Sequence, residues 1–362
     1  MGQTLSEPMT VKDSASCQNS FFRVGSSCMQ GWRVEMEDCH THILALPEDP
    51  SAAFFGVYDG HGGSAVAKYA GKHLHKFVTK RAEYLENPEL ALKKAFLDFD
   101  HEMLHNGSWG EQMAGSTAVV VLIKNNRLYC ANAGDSRAIA CVAGTVHALS
   151  VDHKPNDEAE AKRIVAGGGW VEFNRVNGNL ALSRALGDFM YKRNNAKKPE
   201  EQIVTAYPDV EVRDITEDWE FIFLACDGIW DVMSSSEAAQ FVRKRIGAGM
   251  SPELICEEIM NNCLAPDGHM GGIGGDNMTA VLVCFLHNKT YEDLTVRCGG
   301  VKKPTAVEKV GDVSLSLGVT SKSQFSLTAS DAKVSDGIAS TPPTAATSPS
   351  TPLTAPRKLQ DA

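Results

Sequence analysis

Although it carries ten cysteines, this 362-residue chain has no Cys-x-x-Cys pair. Zinc ribbons and thioredoxin-like redox motifs need that spacing and are excluded. Several of the cysteines fall inside apolar segments, where a reduced thiol behaves as a small hydrophobe. No secretory signal peptide is recognisable, so a reducing cytosolic or nuclear location is expected. No run approaches the ~18 consecutive apolar residues of a membrane-spanning helix. Positive charge is scarce: 35 Lys and Arg stand against 45 Asp and Glu, a formal net charge of -10. A general nucleic-acid binder would be basic, and that class is set aside. Neither Gly167-Gly168-Gly169 nor the Gly271–Gly275 cluster leads into Gly-Lys-Ser/Thr, so a nucleotide P-loop is excluded too. There is no internal repeat.

What the chain does have is three short apolar runs, each with an aspartate at its edge. They are Phe54-Phe55-Gly56-Val57-Tyr58-Asp59, Phe221-Ile222-Phe223-Leu224-Ala225-Cys226-Asp227, and Asp276-Asn277 ahead of Thr279-Ala280-Val281-Leu282-Val283. Four to eight apolar residues bounded by turn residues read as buried strands. A carboxylate at such an end needs a positive neighbour, and no Lys or Arg stands directly beside any of the three. A divalent cation fills that role. All-oxygen ligation selects hard ions such as Mg²⁺, Mn²⁺ or Ca²⁺. The stretch from Asp59 offers His61 and Gly63 where a calcium-binding EF-hand needs Asp or Asn, which disfavours calcium sensing.

From about residue 20 to 290, dense apolar strands alternate with amphipathic helices. Strands are expected at about 53–58, 117–123, 127–133, 137–142, 220–226 and 279–286. The short connections Lys124-Asn125-Asn126 and Gly134-Asp135-Ser136 suggest hairpins and hence antiparallel sheets. Ser64 is placed to cap one helix, Asn87-Pro88 and Ser251-Pro252 to open two more, and Gly167 to close a fourth. An α+β layered sandwich follows. The organisation divides into an N-terminal segment (1–19), a catalytic domain (20–290) and a Ser/Thr/Pro-rich tail (291–362). The tail has too few apolar residues to offset its ordering entropy and is expected to be disordered. Met1-Gly2-Gln3-Thr4-Leu5-Ser6 fits the N-myristoylation pattern at Gly2. One acyl chain without a polybasic patch gives only weak, reversible membrane association.

Asp59-Gly60 is a strong two-residue turn signal, but helical residues follow, so the turn joins a strand to a helix. The Gly60 carbonyl is free to face a cation there. Arg33 can grip two phosphate oxygens with its planar guanidinium. Glu37 and Asp38 add carboxylates in the same segment. Cys17 and Arg23 stand at the Cys-x5-Arg spacing of cysteine-dependent phosphatases. Two phenylalanines between them make a poor phosphate cradle, and the match is read as coincidence.

Taken together, six segments decide. Gly31-Trp32-Arg33-Val34-Glu35-Met36-Glu37-Asp38, Val57-Tyr58-Asp59-Gly60-His61-Gly62-Gly63, Ala133-Gly134-Asp135-Ser136-Arg137, Leu182-Ser183-Arg184-Ala185-Leu186-Gly187-Asp188, Ala225-Cys226-Asp227-Gly228-Ile229-Trp230-Asp231 and Gly275-Asp276-Asn277-Met278-Thr279 resemble motifs of one family. That family is the metal-dependent protein serine/threonine phosphatases of the PP2C (PPM) type.

The resemblance implies a four-layer α-β-β-α sandwich, with two antiparallel sheets flanked by helices. It also implies two Mg²⁺ or Mn²⁺ ions, with Asp59 bridging them. Asp227 and Asp276 would ligate one, and Glu37 with the Gly60 carbonyl the other. Asp38 would accept from bound water, Arg33 clamp phosphate and His61 act as general acid. Asp135 and Asp231, with Asp227, would hold a weaker third ion, and Arg175 would lie on a flap near the substrate. The implied activity is hydrolysis of phosphoserine and phosphothreonine proteins by direct attack of water, without a phospho-enzyme. A monomer, cytoplasmic or also nuclear, is expected. A pseudophosphatase would lack at least one of these carboxylates, and none is missing here. A membrane-tethered adaptor, working through the lipid and the tail, is the third reading.

Overall fold

The computed structural model describes residues 4–105, 109, 113–267 and 272–301. Gly2 and most of the Ser/Thr/Pro-rich tail lie outside the described residues. Two antiparallel sheets form the frame. The first orders its six strands as Thr4–Gln18, Phe22–Arg33, Met278–Phe285, Trp219–Ala225, Arg137–Val142 and Thr145–Ala148. The second orders five as Asp209–Asp214, Arg127–Ala133, Ala118–Lys124, Ala53–Tyr58 and Cys39–Ile43. Every neighbouring pair is antiparallel. Strands such as Ala-Val-Val-Val-Leu-Ile-Lys at 118–124 are buried throughout, which explains runs without polar alternation.

Side chains alternate between faces with period two, so the central strands each serve two apolar clusters. Phe55, Val57, Val121, Ile222, Leu224, Val281 and Val283 share one cluster drawn from both sheets. Phe54, Tyr58, Val120 and Leu122 pack with the helices Ala65–Lys80 and Pro88–His105. Phe221, Phe223, Leu282 and Cys284 pack with Ser235–Gly247 and Pro252–Cys263. The architecture is α+β, as expected.

The Lys124-Asn125-Asn126 hairpin forms, with Asn125 and Asn126 at φ of 52° and 60°. Four other local readings are corrected. Gly134-Asp135-Ser136 is not a hairpin but a crossover. The strand before it belongs to the five-stranded sheet and the strand after it to the six-stranded one. Gly134 turns the chain with φ of 126°, a conformation open to glycine. Ser64 stands at its helix N-terminus but its side chain caps nothing, because its own backbone is already helical. The helix expected to close on Gly167 includes it, and Gly168, at φ of 101°, makes the left-handed C-cap. Finally, Thr4–Gln18 is a strand of the first sheet and Tyr291–Arg297 a helix with Leu294 buried. Structure therefore reaches into both terminal segments. The N-terminal strand has no fully buried residue, so it leaves no apolar signature.

Candidate metal-binding and catalytic site

The strands deliver the acidic residues at one end of the frame. Asp59 follows the strand Ala53–Tyr58, and Asp227 follows Trp219–Ala225 by one intervening residue. Asp276 precedes Met278–Phe285, and Asp135 sits in the crossover. Thr117 ties two of these points together. Its backbone N–H donates to the Asp59 carbonyl at 2.9 Å, and its hydroxyl accepts from the Asp59 N–H at 3.1 Å. The same hydroxyl lies 2.7 Å from that of Ser136.

Asn277 does the same for the other side. Its Nδ2 donates to the carbonyls of Gln30 (2.8 Å) and Glu35 (3.0 Å), and its Oδ1 accepts from the Glu37 N–H (2.9 Å). Its own N–H donates to Asp276 Oδ1 at 2.7 Å. The Arg33–Asp38 segment is thereby pinned to Asp276. Two glycines permit the close approach. A Cβ on Gly60 would stand 2.4 Å from the Glu37 carbonyl oxygen, and one on Gly228 would stand 2.0 Å from that of Asn277.

Asp38, Asp59 and Cys226 each bring a ligand atom within 4.8 Å of the others. Asp38 is buried, and its Oδ2 has no hydrogen-bond partner among the described residues. Burial pushes its carboxyl up to about 7. Asp59 is driven well above the usual carboxylate range by burial, then by the charges of Asp227, Asp38, Asp276 and Asp135. Asp227 is raised by burial and by Asp135, Asp276 and Asp231, against the opposing charge of Lys154. Among the described residues, none of Asp38, Asp59 and Asp227 forms an ion pair within 4.0 Å. Asp38, Asp59 and Asp227, without a paired cation among the described residues and with one orphaned oxygen, make a donor set that fits hard divalent ions, while Asp276 and Asp135 are paired with Arg33 and Lys154.

Around that cluster, Arg33 Nη2 donates to Asp276 Oδ2 at 2.5 Å with its side chain partly exposed. Glu37 Oε1 accepts from the Gly63 N–H at 2.5 Å. Asp231 is exposed, and its N–H donates to the Asp227 carbonyl at 2.8 Å. His61 Nε2 lies 2.7 Å from Asp188 Oδ2. Burial opposes charge on the imidazole, but the Asp188 charge and hydrogen bond outweigh it, so the His61 pKa is raised.

Residues 22–269 match the protein phosphatase 2C (PP2C) family model. The chain belongs to that family. It is similar to a probable protein phosphatase 2C of Caenorhabditis elegans, 58% identical over 299 residues, which cover 82% of this chain and 84% of the relative. Similarity to human protein phosphatase 1A is 44% over 299 residues, covering 79% of this chain and 76% of that one. Among solved structures, the chain resembles a phosphatase from a pathogenic strain of Toxoplasma gondii. The TM-score is 0.66 at 28% identity, covering 83% of this chain and all of the other. This PP2C protein is thus a protein-serine/threonine phosphatase, a hydrolase, from a family that depends in general on Mg²⁺ or Mn²⁺.

Of the residues singled out in the sequence, Arg33, Glu37, Asp38, Asp59, Gly60, His61, Asp135, Asp227, Asp231 and Asp276 come together in this phosphatase. Arg175 is exposed on the Val171–Glu172/Arg175–Val176 hairpin, where its Nη1 donates to the Asn179 carbonyl at 2.6 Å. Three further participants escaped the sequence reading. Asp188 partners His61, Asn277 braces Glu37, and Lys154 Nζ donates to Asp135 Oδ2 at 2.6 Å. Asp188 and Asn277 lay within quoted motifs, but nothing local marked their partners. Lys154 had no motif at all.

Proposed function

We propose that this phosphatase cleaves phosphoserine and phosphothreonine in proteins by direct attack of water on phosphorus, with no phospho-enzyme. Asp59, Asp227, Asp276, Glu37 and the Gly60 carbonyl would hold two Mg²⁺ or Mn²⁺ ions. Asp135, Asp231 and Asp227 would hold a weaker third. When bound, such a pair supplies an activated water and offsets the phosphate charge. The protein's own groups do the rest. Asp38 offers its unpartnered Oδ2 to orient the attacking water. Arg33 presents two parallel N–H groups to equatorial phosphate oxygens. A serine or threonine alkoxide is a poor leaving group, and His61, held by Asp188, donates a proton to it.

The observation that carries this reading is the buried Asp38 oxygen grouped with Asp59, with neither a hydrogen-bond partner for that oxygen nor a cationic side chain paired to either carboxylate among the described residues. Hydrolysis of a phosphothreonine peptide should require Mn²⁺ and stop with a chelator or with Asp227→Ala. Full turnover by Asp227→Ala would contradict it.

We read the two sheets as the middle layers of a four-layer α-β-β-α sandwich, a reading supported by the three apolar clusters. We also propose a cytoplasmic and nuclear monomer. Gly2 acylation, supported by the Met1–Ser6 pattern, would add a weakly membrane-associated fraction. Mass spectrometry of the N-terminal peptide from cells, and light scattering of the purified protein, test these points.

A further inference from the structure

His61 and Asp188 meet across a small sheet of three two-residue strands, Leu186–Gly187, Gly115–Ser116 and Gly60–His61. In its register His61 pairs with Gly115, and Gly115 with Gly187. Gly115 leaves the space in which the two side chains touch, because a Cβ there would collide with both Asp188 Oδ2 and His61 Nε2. The chain enters that contact through two successive residues of positive φ, Gly187 at 76° and Asp188 at 52°. Glycine adopts this region freely. Aspartate does so less readily and stays there where surrounding contacts hold it.

Those contacts come from the helix Pro88–His105. Its buried face is apolar at Leu92, Ala95, Phe96, Phe99 and Met103, with one acid among them, Asp100. Asp100 Oδ1 accepts from the Gly187 N–H at 2.7 Å, and its Oδ2 accepts from Lys192 Nζ at 2.7 Å. Lys192 Nζ also donates to the Ala185 carbonyl at 2.8 Å. One ion pair therefore grips the chain at Ala185, Gly187 and Lys192, on both sides of Asp188. Inside that grip the Asp188 N–H donates to the Ala114 carbonyl at 3.0 Å, and the Asp188 carbonyl accepts from the Tyr191 N–H at 2.9 Å. A buried ion pair adds little net stability over an apolar pair of like volume, so stability alone does not account for an acid in this stripe.

We infer that Asp100, with Lys192, is a positioning residue for proton delivery: it fixes the Gly187–Asp188 turn, and through Asp188 it aims His61 at the leaving alkoxide. The inference rests on the reading of His61 as proton donor and deepens it by naming what holds that donor in place. Asp100 acts through Gly187 and Asp188, not on the phosphate. General-acid catalysis contributes about 10²–10⁴-fold and requires the donor within hydrogen-bond reach. A slackened Asp188 forfeits part of that factor and leaves phosphate binding unaltered.

The test uses the full chain with Mn²⁺ and two substrates, a phosphothreonine peptide and p-nitrophenyl phosphate, whose leaving group departs without a proton. Asp100→Ala should lower kcat for the peptide about tenfold with KM within about twofold, and keep p-nitrophenyl phosphate turnover within about twofold. In an Asp188→Asn background the same replacement should cost nothing further, because groups acting as one unit are not additive. Lys192→Met, which leaves Asp100 able to accept from Gly187, carries the same comparison should Asp100→Ala fail to fold; its peptide loss should be about threefold. Equal losses on the two substrates overturn the inference, as does a full additional loss in the Asp188→Asn background. His61→Ala locates the failure. A split between the substrates in His61→Ala, without one in Asp100→Ala or Lys192→Met, overturns the inference alone. Equal losses in His61→Ala overturn the proton-donor reading, and the inference with it.

Discussion

Replacing Asp59 by Asn should make the metal-free protein more stable and the enzyme inactive. Ligand atoms of Asp38 and Asp59 lie within 4.8 Å of each other in a buried setting. At an effective dielectric of about 20, two unit charges at that separation repel by about 3 kcal/mol. The wild type meets this cost without cations, either as repulsion or as the work of protonating carboxyls near pH 8. The Asp59→Asn change removes one charge at nearly constant volume. For a domain of this size, relief of about 3 kcal/mol should raise Tm by about 5 °C in chelator. Differential scanning fluorimetry in EDTA and in Mn²⁺ reads the effect directly. Wild type should gain stability with Mn²⁺, as any group bound only by the native state confers it. The variant should start higher, gain little, and lose at least about a hundredfold in peptide turnover. A variant that melts below wild type in EDTA, yet keeps the full Mn²⁺ increment, is incompatible with charge repulsion at Asp59 and with its role in holding the ions.

Asp188→Asn should slow phosphothreonine-peptide hydrolysis about tenfold or more, and p-nitrophenyl phosphate hydrolysis far less, because nitrophenolate leaves without a proton. Equal losses on the two substrates would remove Asp188 from proton delivery. Glu160 is buried with Arg163 Nη1 at 2.6 Å and Arg184 Nη2 at 2.7 Å. Burial alone would raise its carboxyl, but Arg184 and Arg163 hold it down to about 2, below its ordinary value near 4.5. A depressed folded pKa means stability present above about 4.5 and lost as pH falls towards about 2. The amount is about 3 kcal/mol. Urea melts across that window should show this slope in wild type and a flatter one in Glu160→Gln, which should also be less stable at neutral pH. Gly228→Ala would thrust a Cβ to 2.0 Å from the Asn277 carbonyl oxygen, costing about 3 kcal/mol in chemical denaturation. Unchanged stability would contradict the close packing of Gly228 against Asn277.

Sheet-forming segments were legible because burial on both faces leaves continuous apolar runs, as at Ala118–Lys124 and Trp219–Ala225. The Asn125-Asn126 turn was legible for a local reason, since both residues tolerate positive φ. Gly134-Asp135-Ser136 misled because a short turn reads the same whether the next strand pairs with its predecessor or enters another sheet. Only long-range packing distinguishes the two. The strand Thr4–Gln18 was hidden because an exposed edge strand needs no apolar alternation. Its register shifts near Met9 further break any pattern, a device that also guards such edges.

The candidate site divides similarly. Aspartates at strand ends stood out, since charge beside apolar runs is locally anomalous. The partners that orient them did not. Asp188 lies 127 positions from His61 and Asn277 lies 240 from Glu37, so those pairings exist only in the folded chain.

The proposed mechanism requires acidic residues from separate strands of this phosphatase to converge on divalent cations. A crystal soaked in Mn²⁺ and measured for anomalous scattering tests it most directly. The expected map holds two strong peaks ligated by Asp59, Asp227, Asp276, Glu37 and the Gly60 carbonyl. Density without peaks among these carboxylates, in crystals that bind Mn²⁺ elsewhere, would contradict it.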